Sequence, residues 1–231
     1  VIHGMSEEQD MRKMGALRKA MPVTAGCFIV GWLSISGVPP FSGFWSKDEI
    51  LSFSLQKSPI LYGIGLFTAL LTAFYMSRQV FMVFFGTPNW DRPLAEAVPE
   101  LAAEREANHV HEGHGAGPFG EIHPHESEWK MTTPLIVLAV FAATAGALNL
   151  PFTDGLKHLE HWLEPVVHFG EAASTQGTGA KVGLAVIALA GAVAGILAAA
   201  AVYLKNRRDL ATKIEAPILA RGWGYDAAIS A

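Results

Sequence analysis

Residues 23–50 read VTAGCFIVGWLSISGVPPFSGFWSKDEI, and the fold follows from how that run begins and breaks. From Pro22 to Ser46 there are 25 residues without an acidic or basic side chain. A spanning helix needs about 20 apolar residues, because each adds about 1.5 Å against a hydrocarbon layer about 30 Å thick. Gly37, Pro39, Pro40 and Gly43 then interrupt the run. Tandem proline removes two backbone donors, clashes with the preceding turn and pushes Val38 away from helical geometry. The freed carbonyls must be satisfied by protein or water, so a break at membrane depth belongs where it is buried or lines a wet cavity. Transporters place ions at such discontinuous helices. The same residues also fit a simple proline kink or the end of the span.

Directly after the break stand Ser46, Lys47, Asp48 and Glu49, followed by apolar Ile50 and Leu51. A lysine at depth needs a partner or hydration for its charge, and with carboxylates beside it can take up and release a proton. Lys47, Asp48 and Glu49 are therefore candidate proton-transfer groups. The alternative is a lysine that snorkels to the interface.

Working outward, three more uncharged runs follow: Ser58–Ser77, Met131–Thr153 and Val182–Leu204, of 20, 23 and 23 residues. Charged residues make up 16% of the chain, below the roughly 25% of soluble domains. The expected fold is all-α, a polytopic membrane helical bundle with a discontinuous first helix. Spans are expected at about 22–52 (broken near 37–43), 59–85, 131–153 and 181–204. Arg78 lies late in the second span, and either pairs with a carboxylate on a neighbouring helix or subunit or snorkels. Gly191 and Gly195 form a G-x-x-x-G pair in the last span, which permits close helix packing.

Lysine and arginine sort the connections. The N-terminal segment, the segment at 86–130 and the 205–231 tail hold Arg12, Lys13, Arg18 and Lys19, then Arg92, Arg105 and Lys130, then five more. The opposite side has Lys47, Lys57, Lys157 and Lys181. Positive residues accumulate on the cytoplasmic face, so the N-terminal segment and the tail are expected to be cytoplasmic. The 154–180 loop then faces outward, and apolar spacing over 156–169 suits an interfacial helix.

The 87–129 loop is acidic and His-rich, and reads as a solvated linker. His109, His111, His114, His123 and His125 lie there with Glu112, Glu121 and Glu126, good ligand types for zinc or nickel. Their spacing matches no defined site, so a metal-binding protein stays a weaker alternative, as does a structural membrane protein. Net charge is −4, which makes no case for nucleic acid. Cys27 is the single cysteine, so no internal disulfide can form. No dinucleotide fingerprint, Walker motif or cysteine cluster occurs. The chain lacks an initiator Met and reads as a fragment.

EEQDMRKMGALRKAMP at 7–22, GVPPFSGFWSKDEIL at 37–51 and TAFYMSRQVFMVFFG at 72–86 resemble, in order and spacing, the family of antiporter-like L subunits of proton-pumping NADH:quinone oxidoreductase, respiratory complex I. The terminal RGWGYD at 221–226 agrees. The family is related to subunits of cation/proton antiporters and membrane-bound hydrogenases, which remain the nearest alternatives. The resemblance implies a subunit of the bacterial inner membrane, set next to another antiporter-like subunit. It implies a broken helix whose lysine, here Lys47 with Asp48 beside it, serves the outward part of a proton path. NADH, flavin, iron–sulfur clusters and quinone are expected on other subunits, with no cofactor on this chain.

Overall fold

A computed structural model describes residues 1–90, 123–148, 158–163, 165 and 178–204. These form helices α1 (Pro22–Ser36), α2 (Ser42–Lys57), α3 (Pro59–Phe84), α4 (Trp129–Thr144), α5 (His158–Leu163) and α6 (Thr178–Tyr203). No strand occurs among the described residues. The tail from 205, most of the His-rich loop and most of the 154–180 loop lie outside them; α5 falls within the interfacial helix expected at 156–169.

Among the described residues, three helical segments are long and apolar enough to cross a membrane: Pro59–Phe84, Trp129–Leu148 and Val182–Tyr203. The second includes a tight 3₁₀ turn at Ala145–Leu148 that extends α4. Helix α1 has 15 residues and rises about 22 Å, too short to cross alone. Its complement is the 16-residue α2.

The contacts along α3 show how the two halves combine. Phe28 of α1 lies 5.2 Å from Phe84, and Trp32 lies 5.6 Å from Phe81. The Trp32 indole donates to Ser77 Oγ at 3.0 Å. Further along, α2 takes over, with Leu51 against Gly65. Helices α1 and α2 thus follow one another along antiparallel α3 as one interrupted path. Helix α4 runs parallel to that path: Glu126 meets the start of α1, Ala142 O accepts from Ser42 Oγ at 2.9 Å, and Gly146 sits on Trp45. Helix α6 runs parallel to α3, with Gly191 by Leu66, Gly195 by Leu70, and Tyr203 6.3 Å from Phe74. Among the described residues, the α1–α2 path and α4 run one way, and α3 and α6 run the other.

The starts of α1 and α4 and the ends of α3 and α6 therefore share one end of the bundle. Residues 1–21 close that end in three short 3₁₀ turns. Met5, Leu17 and Met21 are buried there with Val80 and Phe84. The Lys13 ammonium is buried and meets Glu8 Oε2 at 2.5 Å, while Arg12 grips Asp10. Gly15, at φ +131°, touches the carbonyl of Thr87, a place where a side chain has no room. The expected linker is thus anchored at its near end: Asn89 Nδ2 donates to Arg12 O and Trp90 Nε1 to Gly15 O, each at 3.0 Å.

Along the α3–α6 seam, a Cβ built on Gly195 would lie 2.7 Å from Leu70 O and 3.1 Å from Ala73 Cβ. Small residues let membrane helices approach this closely. Gly195→Leu should destabilise the bundle by about 1–3 kcal/mol, as overpacking does. A lower thermal midpoint in detergent is expected. Gly183→Leu, at a position with open space around it, should leave the midpoint unchanged.

Candidate functional site

Helix α1 ends because Gly37 adopts a left-handed conformation, φ +77°, ψ 43°. Such a C-terminal glycine returns its own N–H and the next one to orphan carbonyls. Here Gly37 N donates to Ser34 O and Val38 N to Leu33 O, both at 3.0 Å. Pro39 and Pro40, joined by a cis peptide, follow in the gap, and α2 starts at Ser42. The break occupies 37–41 rather than 37–43. Gly43 belongs to the first turn of α2, where a Cβ would collide with the Ser34 backbone. Its N–H donates to Ser34 Oγ at 3.1 Å, and Ser34 Oγ lies 3.3 Å from Ser42 Oγ. Gly43 is needed because the two half-helices touch there, not to terminate a helix.

Lys47 turns back toward this gap. Its ammonium donates to Ile35 O in the last turn of α1. Its Cδ lies 3.5 Å from where a Cβ on Gly37 would stand. The last carbonyls of a helix lack intrahelical partners and carry partial negative charge, so a lysine cation suits them. Asp48 follows on α2, half-buried and near Tyr62 of α3. Glu49 is exposed. The structure thus brings Lys47, Gly37 and Gly43 together at one junction. Arg78 sits elsewhere, exposed on α3 with its guanidinium 5.7 Å from the centre of the Tyr203 ring.

Among the candidate metal ligands, His109, His111 and His114 lie outside the described residues. His125 donates its backbone N–H to Gly4 O at 3.2 Å, and its ring lies 6.2 Å from that of His3. No group of three or more potential ligands gathers among the described residues.

Glu126, grouped with those histidines from sequence, does something else. Its Oε2 accepts from Val23 N at 2.8 Å and Thr24 N at 3.3 Å, and its Oε1 accepts from Thr24 Oγ1 at 2.5 Å. Met21 at the cap position supplies no side-chain bond. A residue about 100 positions away therefore caps α1 and complements its dipole. The far end of the loop is anchored as firmly as the near one. The only sequence sign of this cap is negative: Met21-Pro22 leaves the first donors of α1 without a local acceptor. Burial pushes the Glu126 carboxyl up, but the Thr24 hydroxyl and the N–H groups of Val23, Thr24 and Ser127 together hold it below its ordinary 4.5.

A depressed carboxyl stabilises the fold fully above its unfolded value and loses that contribution as pH falls through the folded value. Glu126→Ala should therefore lower the thermal midpoint near neutrality, by the equivalent of about 1 kcal/mol. The gap between variant and parent should close below pH 4.5, as midpoints recorded across an acid titration would reveal.

Two family models match the chain. One, described as NADH:quinone oxidoreductase/Mrp antiporter transmembrane region, covers residues 1–72. The other, described as the C-terminal transmembrane region of the NADH dehydrogenase F subunit of complex I, covers 104–213. Among curated relatives, NAD(P)H-quinone oxidoreductase chain 5 of Synechocystis is 39% identical, over 90% of this chain and 33% of the relative. The L subunit of NADH-quinone oxidoreductase of Mycobacterium tuberculosis is 40% identical, over 75% and 23%. The chloroplastic NAD(P)H-quinone oxidoreductase subunit 5 of Mesostigma viride is 34% identical, over 89% and 29%. The chain thus spans about a third or less of the length of these relatives.

Proposed function

We propose a function from one premise: the chain belongs to the family of antiporter-like membrane subunits of NADH:quinone oxidoreductase. Within such a complex it contributes the outward part of a proton-translocation path, and Lys47 carries the proton. The observation that supports this is the bond from the Lys47 ammonium to Ile35 O across the helix break.

The chemistry follows from the two states of one amine. Protonated, Lys47 is held by the end of α1, where the carbonyl and the helix dipole favour a cation. Neutral, it keeps a weaker donor and no charge for the dipole to hold, so the four-carbon stem is free to swing. Proton release and side-chain movement are thereby coupled. Asp48 and Glu49, on the same turn of α2, are the nearest acidic groups in sequence to receive or stabilise that proton. Gly37 is required by its φ of +77°, while a Cβ there would only stand in ordinary contact with the lysine stem, 3.5 Å from Cδ.

The charge asymmetry of the connecting segments supports a cytoplasmic position for residues 1–21 in a bacterial inner membrane. Lys47 then lies in the outward half, beyond the break. The proposed partner is a neighbouring antiporter-like subunit, with the NADH, flavin, iron–sulfur and quinone sites on other subunits.

The test is Lys47→Met and Lys47→Arg in the assembled complex, with proton pumping and NADH:quinone turnover both measured in sealed vesicles. Both variants should lose pumping by about tenfold or more, because methionine has no proton and arginine does not release its own. Wild-type pumping in the methionine variant would overturn the proposal. Pumping kept by arginine but lost by methionine would assign Lys47 a fixed electrostatic role instead. Sodium-dependent transport without quinone reductase activity would point to the related cation/proton antiporters.

A further inference from the structure

Four serines surround the break, and three have partners. Ser34 Oγ accepts from Gly43 N, Ser42 Oγ donates to Ala142 O, and Ser46 Oγ lies 3.4 Å from both Ser42 O and Gly43 O. Ser36 is different. It is 1% exposed, and its hydroxyl makes no hydrogen bond among the described residues. Nearly all buried hydroxyls are satisfied by protein or by ordered water.

Its position is specific. Residues four apart share a helix face, so Ser36 continues the stripe of Phe28 and Trp32 that packs on α3. Opposite on α3, Ser77 bonds Trp32, and buried Ala73 lies one turn beyond, toward the level of the break. On α2, Lys47 stands four residues before Leu51, which also packs on α3. Lys47 touches the residues on either side of Ser36, bonding Ile35 O and passing Gly37. Ser36 and Lys47 therefore approach the same seam from the two half-helices.

We propose that Ser36 is a positioning residue for proton transfer, and that its hydroxyl anchors one water molecule beside the Lys47 ammonium. This deepens the reading of Lys47 as a proton carrier and rests on it. In the step, an N–H bond of the ammonium breaks and an O–H bond to the water forms, leaving neutral lysine and a hydronium ion. The Ser36 oxygen accepts a hydrogen bond from that ion, and no electrons change hands. A hydroxyl has two acceptor sites and one rotatable donor, so it can hold the water before transfer and the ion after it. A single water suits a lone buried hydroxyl, which offers it both a donor and acceptor sites.

The test uses Ser36→Ala, Ser36→Thr and Ser36→Cys in the assembled complex, with pumping and its solvent deuterium isotope effect measured in sealed vesicles. Ser36→Ala should slow pumping-coupled turnover about fivefold to tenfold, the scale of one lost hydrogen bond in the transfer. It should also raise the isotope effect, because that transfer becomes rate-limiting. Ser36→Thr, which keeps the hydroxyl, should restore both. If Ser36→Ala does not assemble, Ser36→Cys carries the same expectation with nearly unchanged volume. Wild-type turnover and isotope effect in an assembled alanine or cysteine variant overturn the inference, as does alanine raising stability with no kinetic effect. Loss of pumping in Lys47→Met alongside a silent Ser36→Ala overturns the role of Ser36 alone. A silent Lys47→Met removes the premise of both.

Discussion

Hydrocarbon offers no hydrogen-bond partner, so a helix opened within it must close its own ends. The α1–α2 junction answers that constraint with three devices. Gly37 turns left-handed and returns two N–H groups to Ser34 and Leu33. Ser34 reaches forward to the first turn of α2 through Gly43. Lys47 reaches back to Ile35. The last of these places an exchangeable proton at a helix end, so the repair of the break and the proposed chemistry share one bond.

The rest of the bundle keeps that junction in place. Long α3 supports both half-helices, fixing α1 by the Trp32–Ser77 bond and aromatic contacts, and α2 through Leu51 on Gly65. Helix α4 spans the junction from its other side, tying Ser42 to Ala142. Helix α6 approaches α3 through glycine and alanine, where lipid supplies no hydrophobic push and close packing must hold the helices together. A lysine that moves a proton needs a rigid frame, because a displacement of about 1 Å can disable a transfer.

The end of the bundle that holds residues 1–21 shows how the loops take part. Glu126 caps α1 from a segment that composition marks as linker, and Asn89 and Trp90 fasten the other end of the same loop to residues 12–15. Charged groups there are paired locally, Lys13 with Glu8 and Arg12 with Asp10. The terminal segment of the bundle is thus a packed cover over Phe84 rather than a tether.

The sequence by itself marked the long uncharged runs, the charge pattern between them and the place of the break. Those depend on run length, absence of charge, lysine and arginine asymmetry, and the backbone limits of proline and glycine, all of which are local. It also singled out Lys47, because a charge beside a break in an apolar run is legible without a fold. Tertiary structure alone decided which backbone group receives that lysine, that Gly43 serves contact rather than termination, and that the Ser36 hydroxyl is buried without a hydrogen-bond partner among the described residues. It alone turned Glu126 from a candidate ligand into a helix cap and set Arg78 on Tyr203. These are pairings between residues as many as 103 positions apart. Only packing fixes which distant donor meets which acceptor, since a local pattern states that a group needs a partner but not who supplies it.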